Sequence, residues 1–507
     1  MRGILECLNR LVWGVPTLVL ILGVGVYITV HTRCIQLRLF PSALRQFLRS
    51  FRSNGGKESV SSYQALCTAL AATVGTGNLA GVAGAIALGG PGAVFWMWIC
   101  AFLGMAIKFA EATLAVHCRI RNDNGEYTGG PMYMIRSSLP KQWHWLAGVY
   151  SFFGVVAAFG VGNATQVNAV LGGVHSVLGA YGVSGSFGLD FAIGLILALL
   201  IGSILLGGAK GIARITEKLV PFAALLYILL CAGVLVLRAE QIPGAFAAIV
   251  SGAFTPRAVT GGAVGSVFLA LRVGASRGTF TNEAGMGTAS IAHSSAEIDH
   301  PVSQGMMGII EVFIDTILIC TLTALVILCS GVPIAYGEDV GVVLTLSAFN
   351  DVYGNWSNSV ITVALCAFAI ATVIGWGLYG MRCAQYLFGD RAWRKFVLLQ
   401  VVTVVIGAVM NTGTVWMMSE IVNALMAVPN LIVLISLTPK LKMLIHNYKN
   451  NCGKHSAAGG TYEDFNQCQS LRTVSYAEIP SPGGESSTKR KENISPEHRS
   501  AGPAHAP

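Results

Sequence analysis

The chain has 507 residues, of which 53% are hydrophobic and only 11% charged, and its formal net charge is +9. A soluble globular chain carries about 25% charged residues, so this composition excludes a water-soluble fold. The positive balance is not evidence for a nucleic-acid partner, because the basic residues collect between apolar runs, where they orient membrane spans.

Eleven apolar stretches are long enough to cross about 30 Å of hydrocarbon. They cover residues 11–31, 64–89, 92–116, 145–171, 187–207, 216–237, 262–292, 302–331, 357–381, 395–413 and 415–437. The first is too long for a signal-peptide core and no small-residue cleavage site follows it, so it reads as retained. Arg33, Arg38, Arg45, Arg49, Arg52 and Lys57 follow the first stretch; Arg119, Arg121, Arg136 and Lys141 the third; Lys210, Arg214 and Lys218 the fifth; Arg382, Arg391, Arg394 and Lys395 the ninth; Lys440, Lys442 and Lys449 the eleventh. The loops 172–186 and 332–356 carry no Lys or Arg. The asymmetry predicts an external N-terminus and a cytoplasmic C-terminus; only the loop 293–301, with Glu297 and Asp299, departs from it. The twelve cysteines form no CxxC pair, and no disulfide or zinc framework is expected. From 446 onward the chain turns Gly/Ser/Pro-rich, a composition that cannot bury enough surface to order itself, and reads as a disordered cytoplasmic tail.

Two stretches are interrupted where a membrane helix should be continuous. In the second, Thr73-Val-Gly-Thr-Gly-Asn78 places two glycines, two hydroxyls and an amide near the middle. In the seventh, the apolar first half fails at Arg272, and Gly274, Ser276, Arg277, Gly278, Thr281, Asn282 and Glu283 crowd together. Irregular backbone at membrane depth survives only inside protein or beside a water-filled cavity. Discontinuous helices at corresponding places in two halves mark a transporter's substrate site. The chain therefore divides into an extra span with a basic loop (1–63), five spans (64–237), five more (238–445) and the tail (446–507). Five is odd, so the halves run in opposite senses. A simple glycine hinge, with Gly77 and Gly81 as a small-xxx-small contact, would not need Thr76 and Asn78.

The residues then carry a family resemblance. Ala72-Thr-Val-Gly-Thr-Gly-Asn-Leu-Ala-Gly-Val82, Lys108-Phe-Ala-Glu-Ala-Thr-Leu-Ala115, Gly129-Gly-Pro-Met-Tyr133, Arg277-Gly-Thr-Phe-Thr-Asn-Glu-Ala-Gly-Met-Gly287, Glu311-Val-Phe-Ile-Asp-Thr316, Gly375-Trp376 with Tyr379-Gly380, and Pro429-Asn-Leu431 appear in order. Together they resemble the alanine/glycine:cation symporters, also called sodium:alanine symporters. The resemblance implies an all-α polytopic membrane protein with a LeuT-type 5+5 inverted repeat and two discontinuous helices. It implies symport of small neutral amino acids, alanine or glycine, across a bacterial cytoplasmic membrane, by a carrier that works as a monomer. Sodium is the expected coupling ion, with a proton as the alternative. The implied substrate residues are Thr73, Gly75, Thr76, Gly77, Asn78, Gln166, Phe280, Asn282, Thr372, Trp376 and Gly377. The implied sodium ligands are Thr73, Val74 and Thr372. Two positions depart from the family pattern: Ala371 stands where many members have serine, and Met381 where many have an acid.

Ionisable residues inside spans are costly and point to function. Lys108 and Glu111, three apart on one helical face, are expected to pair. Glu311 and Asp315, four apart, are expected to meet cations such as Arg272 or Arg277, or one of them to be protonated. Glu283 is expected to hold a gate through a basic partner or to cap the following half-helix. Trp376 has an alternative reading as an interfacial anchor. A channel would need a continuous polar stripe, commonly built by several chains, and no HExxH, GxSxG or nucleophile–base pair suggests an enzyme.

Overall fold

A computed structural model describes residues 15–51, 60–122, 125–180, 182–255, 266–338, 341–410 and 413–457. Residues 1–14, Gly262 to Gly265 of the seventh stretch, and the tail from 458, including Lys489 to Lys491, lie outside the described residues. The described part belongs to one compact unit, Met1–Arg472. Among the described residues, eight helices are long and apolar enough to cross a membrane, or ten spans if each of two bent helix pairs counts as one. The chain is a multi-pass helical membrane protein.

The helices are α1 (Val15–His31), α2 (Ile35–Ser50), α3 (Ser62–Thr73), α4 (Val82–Gly89), α5 (Gly92–His117), α6 (Pro131–Ser138), α7 (Trp145–Phe159), α8 (Thr165–Ala180), α9 (Phe187–Leu205), α10 (Gly208–Leu237) and α11 (Ile242–Phe254). They continue with α12 (Val267–Asn282), α13 (Thr288–Ser294), α14 (Pro301–Val312), α15 (Thr321–Ser330), α16 (Gly341–Tyr353), α17 (Trp356–Phe388), α18 (Ala392–Val409) and α19 (Gly413–Ala457). A two-stranded ribbon, Ile120–Arg121 with Tyr127–Thr128, is the one sheet among the described residues.

The first interrupted span is α3 and α4, bent by 52°. Ser61 starts it with a capping box, its hydroxyl accepting from Gln64 N while the Gln64 side chain accepts from Ser61 N. It ends because Val74 turns extended, with ψ 96°. A π turn, Gly77–Gly81, then restarts the helix. Two further π turns, Gly160–Ala164 and Phe313–Cys320, interrupt the spans holding α7–α8 and α14–α15. Such π widenings inside helices concentrate at functional sites.

The second interruption lies later than the sequence suggests. The helix α12 runs unbroken through Arg272, Gly274, Arg277 and Gly278 and stops only at Asn282. The break is Glu283 to Gly287, where Glu283, Gly285 and Gly287 all have positive φ (53°, 93° and 78°). The small residues of α12 are instead a packing face: a Cβ on Gly274 would collide with the Ala93 backbone of α5, and one on Gly278 would crowd Met97. The seventh stretch is therefore two short helices, α12 and α13, and is not among the ten long apolar spans. The last helix also extends beyond its expected end, to Ala457. Leu441, Leu444, Ile445 and Tyr448 are buried at helical spacing, so an amphipathic stripe carries it past the start of the compositional tail.

Two long helices organise the bundle. The helix α5 packs against α1, α11, α12, α13 and α14, while α17 packs against α3, α7, α8, α10 and α18. The halves of the first broken span are shared between them, α3 on α17 and α4 on α5 and α12. Close backbone contact makes this possible: a Cβ on Gly375 would lie 2.8 Å from Ala72 N, and one on Gly308 would lie 2.8 Å from the Lys108 carbonyl. Gly308→Ala should therefore cost about 1–3 kcal/mol by overpacking α14 against α5. Gly23→Ala, with nothing within 4 Å, should not destabilise the fold. Thermal unfolding of the two purified variants checks this, and equal midpoints would contradict it.

Candidate functional site

The two breaks meet through side chains. Gly75 N–H, which a continuous helix would direct to the carbonyl four residues back, donates to Asn78 Oδ1 at 2.9 Å. The Asn78 amide nitrogen donates to Asp315 Oδ1 at 2.7 Å and to the Asp315 carbonyl at 3.1 Å. Thr316 Oγ1 donates to Asp315 Oδ2 at 2.7 Å and accepts from Asn282 Nδ2 at 3.3 Å. Asn282 Oδ1 accepts from Ala284 N at 3.0 Å, inside the second break. The relay runs from Gly75 to Ala284 through Asp315, which sits on the π turn after α14. Asn78, Asp315, Thr316 and Asn282 are all buried.

A second cluster faces the first break from α8 and α17. Thr76 Oγ1 donates to Gln166 Oε1 at 3.0 Å, and Gln166 Nε2 donates to the Val161 carbonyl at 3.1 Å. A Cβ on Gly75 would lie 2.6 Å from Thr372 Oγ1 and 3.6 Å from Gln166 Oε1. Only glycine fits there, because any side chain would displace the Thr372 hydroxyl. Thr372 Oγ1 donates to the Phe368 carbonyl at 3.0 Å, and Thr73 Oγ1 to the Ala69 carbonyl at 3.2 Å. On the other side of the break, Gly77 approaches Phe280 and Thr281 of α12. Thus Gly75, Thr76, Gln166 and Thr372 converge, and Gly77 and Phe280 adjoin them. Gly377 does not: its open side faces Leu205 of α9.

Trp376 is fully buried, which removes its reading as an interfacial anchor. Its ring packs on Gly162, where any side chain would collide with it, and its indole N–H donates to Glu283 Oε1 at 3.1 Å. Glu283 Oε2 accepts from Thr288 Oγ1 at 2.6 Å. The partners of Glu283 are thus an indole and the first hydroxyl of α13, not the basic residue of the gate reading.

The buried charges pair differently from the sequence expectation. Lys108 bonds Glu311 at 2.9 Å rather than Glu111. Gly308 lets α14 close on α5 at Lys108, and Glu311 lies one turn further along. Glu311 also meets His293 Nε2 at 2.9 Å, and His293 Nδ1 contacts Gln304 Nε2 at 2.7 Å. Glu111 turns to the second break, where its Oε1 accepts from Gly285 N and Gly287 N, both at 3.0 Å, and from Asn430 Nδ2 at 2.7 Å. Arg272, an expected partner for the acids, is exposed on α12. Among the described residues no lysine, arginine or histidine forms an ion pair with Asp315. Four buried carboxylates (Glu111, Glu283, Glu311 and Asp315) thus share one buried lysine and one buried histidine. Isolated buried charge is expensive, and of these four only Glu311 has an ion-pair partner among the described residues. Sequence reasoning assigned no role to His293 or Asn430. Asn430 stood in a resemblance motif, and its amide was the available signal; His293 lacked even that.

Breaks in two membrane helices that meet at one buried acid define a transporter-type helical bundle. The chain belongs to the sodium:alanine symporter family, whose sequence profile matches residues 1–459. It is 40% identical over 442 residues to the sodium/alanine symporter AgcS of Methanococcus maripaludis, covering 86% of this chain and 94% of that protein. It is 41% identical over 454 residues to an uncharacterized transporter of Haemophilus influenzae, covering 89% and 96%. It is 36% identical over 421 residues to the amino-acid carrier protein AlsT of Bacillus subtilis, covering 82% and 85%. Its fold is similar to the crystal structure of MhsT in complex with L-phenylalanine, with a TM-score of 0.57 at 14% identity over 76% of this chain and 90% of that one.

Asp315→Asn keeps the shape of the bridge but turns one acceptor into a donor, which must then face Asn78 or Thr316. One buried donor loses its acceptor, and the expected loss is about 1–3 kcal/mol. Thermal unfolding of the purified variant should show a lowered midpoint. An unchanged or raised midpoint would mean that the carboxylate does not serve both donors.

Proposed function

We propose that the protein is a sodium-coupled symporter of small neutral amino acids, alanine or glycine, working by alternating access in a bacterial cytoplasmic membrane. The observation that carries this reading is the unwound Val74–Thr76 segment, held against the Thr372 hydroxyl and the Gln166 amide. Unwinding offers N–H groups to a carboxylate and carbonyls to a cation at one place. In this reading Thr76 and Gly77 receive the amino-acid carboxylate, and Gly75, having no side chain, lets it approach. Gln166 and the backbone near Asn282 receive its amine, and Phe280 and Trp376 form the walls. Asn78 acts from behind, setting the loop through Gly75 and Asp315. The carbonyls of Thr73 and Val74 and the Thr372 hydroxyl hold sodium. The relative named as a sodium/alanine symporter supports alanine as cargo. The tight approach of Thr372 and Gln166 to Gly75 supports a small side chain.

The shared bridge supports alternating access. The halves α3 and α4 pack on different helices, so one can move while the other stays. The relay through Asp315 couples that motion to the second break. The closed hydrogen-bond network across the centre supports a carrier over a channel. The surplus of buried carboxylates keeps proton coupling as the one rival reading.

The Thr372 hydroxyl tests the ion. Adding one oxygen in Ala371→Ser should lower the sodium concentration for half-maximal alanine uptake, and Thr372→Ala should raise it. By analogy with hydrogen bonds to charged groups, the change is about five- to thirtyfold. The measurement is uptake against external sodium in vesicles at fixed pH. Identical curves for both variants and the wild type would mean that sodium binds elsewhere. Uptake driven by a pH gradient without sodium would establish the proton reading.

The Lys/Arg asymmetry supports an external N-terminus and a cytoplasmic C-terminus. A tag after Pro507 should be inaccessible in intact cells and accessible after permeabilisation. Labelling from outside intact cells would overturn this orientation.

A further inference from the structure

We propose that the turn between α1 and α2, together with the end of α19, forms a phosphate-binding pocket for the headgroup of an acidic phospholipid. This site is separate from the transport core. A cavity of about 260 Å³ is lined by His31, Thr32, Arg33, Arg38, Lys442, Ile445, His446 and Lys449. Four of these side chains are permanent cations, two are imidazoles, and no Asp or Glu lines the cavity. Like charges gathered around one space repel unless an anion sits between them.

The backbone is built to make this gathering. The helix α2 leaves α1 at 79°, through Arg33 and Cys34, which have φ of 58° and 54°. Two consecutive non-glycine residues in the left-handed region are strained, and such strain concentrates at ligand sites and switches. Arg38 fastens the turn by donating to the Thr32 carbonyl at 3.4 Å. Across the cavity, Lys442, His446 and Lys449 repeat at i, i+4 and i+7 and so share one face of α19. The buried stripe of Leu441, Leu444, Ile445 and Tyr448 holds that helix against the protein.

The surroundings favour a lipid as the source of the phosphate. The helix α2 exposes Leu37, Leu44 and Leu48 beside Arg38, Arg45 and Arg49, the pattern of a helix lying in the bilayer interface. A basic pocket between membrane helices at that depth suits an anionic headgroup, with the acyl chains running along the exposed leucines.

The test uses the purified full chain in detergent, with bound lipid counted by native mass spectrometry. Wild type should retain phosphatidylglycerol in strong preference to phosphatidylcholine. Each neutralised cation should weaken phosphatidylglycerol binding about fivefold, so Arg33→Gln with Lys442→Gln should lose about 25-fold. The control, Lys210→Gln with Arg214→Gln, removes the same charge outside the pocket and should leave the preference nearly unchanged. These side chains are exposed, so the folded state should survive in both variants. Equal losses in the two double variants, or equal retention of the two lipids by wild type, would overturn the site. In a further arm, inorganic phosphate should displace phosphatidylglycerol only weakly. Displacement as effective as that by the lipid itself would overturn the lipid as the source of the phosphate.

Discussion

The bond between Asn78 and Asp315 is the constraint on which the centre of this protein depends. One amide joins an unwound helix to a carboxylate on a distant π turn, and that carboxylate reaches the second unwound helix through Thr316 and Asn282. Without it the Asn78 amide nitrogen loses its carboxylate acceptor, and the hydrogen-bonded relay between the two interruptions is cut. Buried polar groups left without partners cost about 1–3 kcal/mol each. Each bond of the relay therefore helps to hold the break.

Charge is organised around the same helices. Lys108 and His293 hold Glu311, while Glu111 holds the backbone of the second break through Gly285 and Gly287. A carboxylate accepting N–H groups from a glycine-rich turn fixes that turn without a side chain of its own. This arrangement explains why glycines with positive φ stand at 285 and 287, where a Cβ would be strained. Glu283 then ties the turn to Trp376 on α17. The two organising helices, α5 and α17, thus both reach the second break, one by Glu111 and the other by Trp376.

Much of this architecture was legible in the sequence because hydrophobic run length reports membrane crossing directly. The interruption at Thr73 to Asn78 was legible too, since two glycines and three polar groups have no other reason to sit in hydrocarbon. The second break was misplaced because small residues serve two ends. In α12 they let the helix pack on α5, and only at Glu283 to Gly287 do they permit positive φ; composition alone does not separate these uses. The pairing of Lys108 was misread because helical spacing reports neighbours on one helix, whereas its partner lies across a close contact that Gly308 allows. The convergence of Gly75, Gln166 and Thr372, and the role of Asn430, depend on folding between segments up to hundreds of residues apart. The family resemblance implied the first three as pocket residues, and nothing in sequence spacing located Asn430.

The central claim is that the two breaks behave as one bridged unit. A double-mutant cycle between Asn78→Ala and Asn282→Ala, read from the unfolding free energy of the purified protein, tests it most directly. The two residues have no hydrogen bond to each other and communicate through Asp315 and Thr316. The account predicts a coupling of at least about 0.5 kcal/mol, because removing one end already loosens what the other holds. Additive losses would contradict it and leave two separate loops in place of a single site.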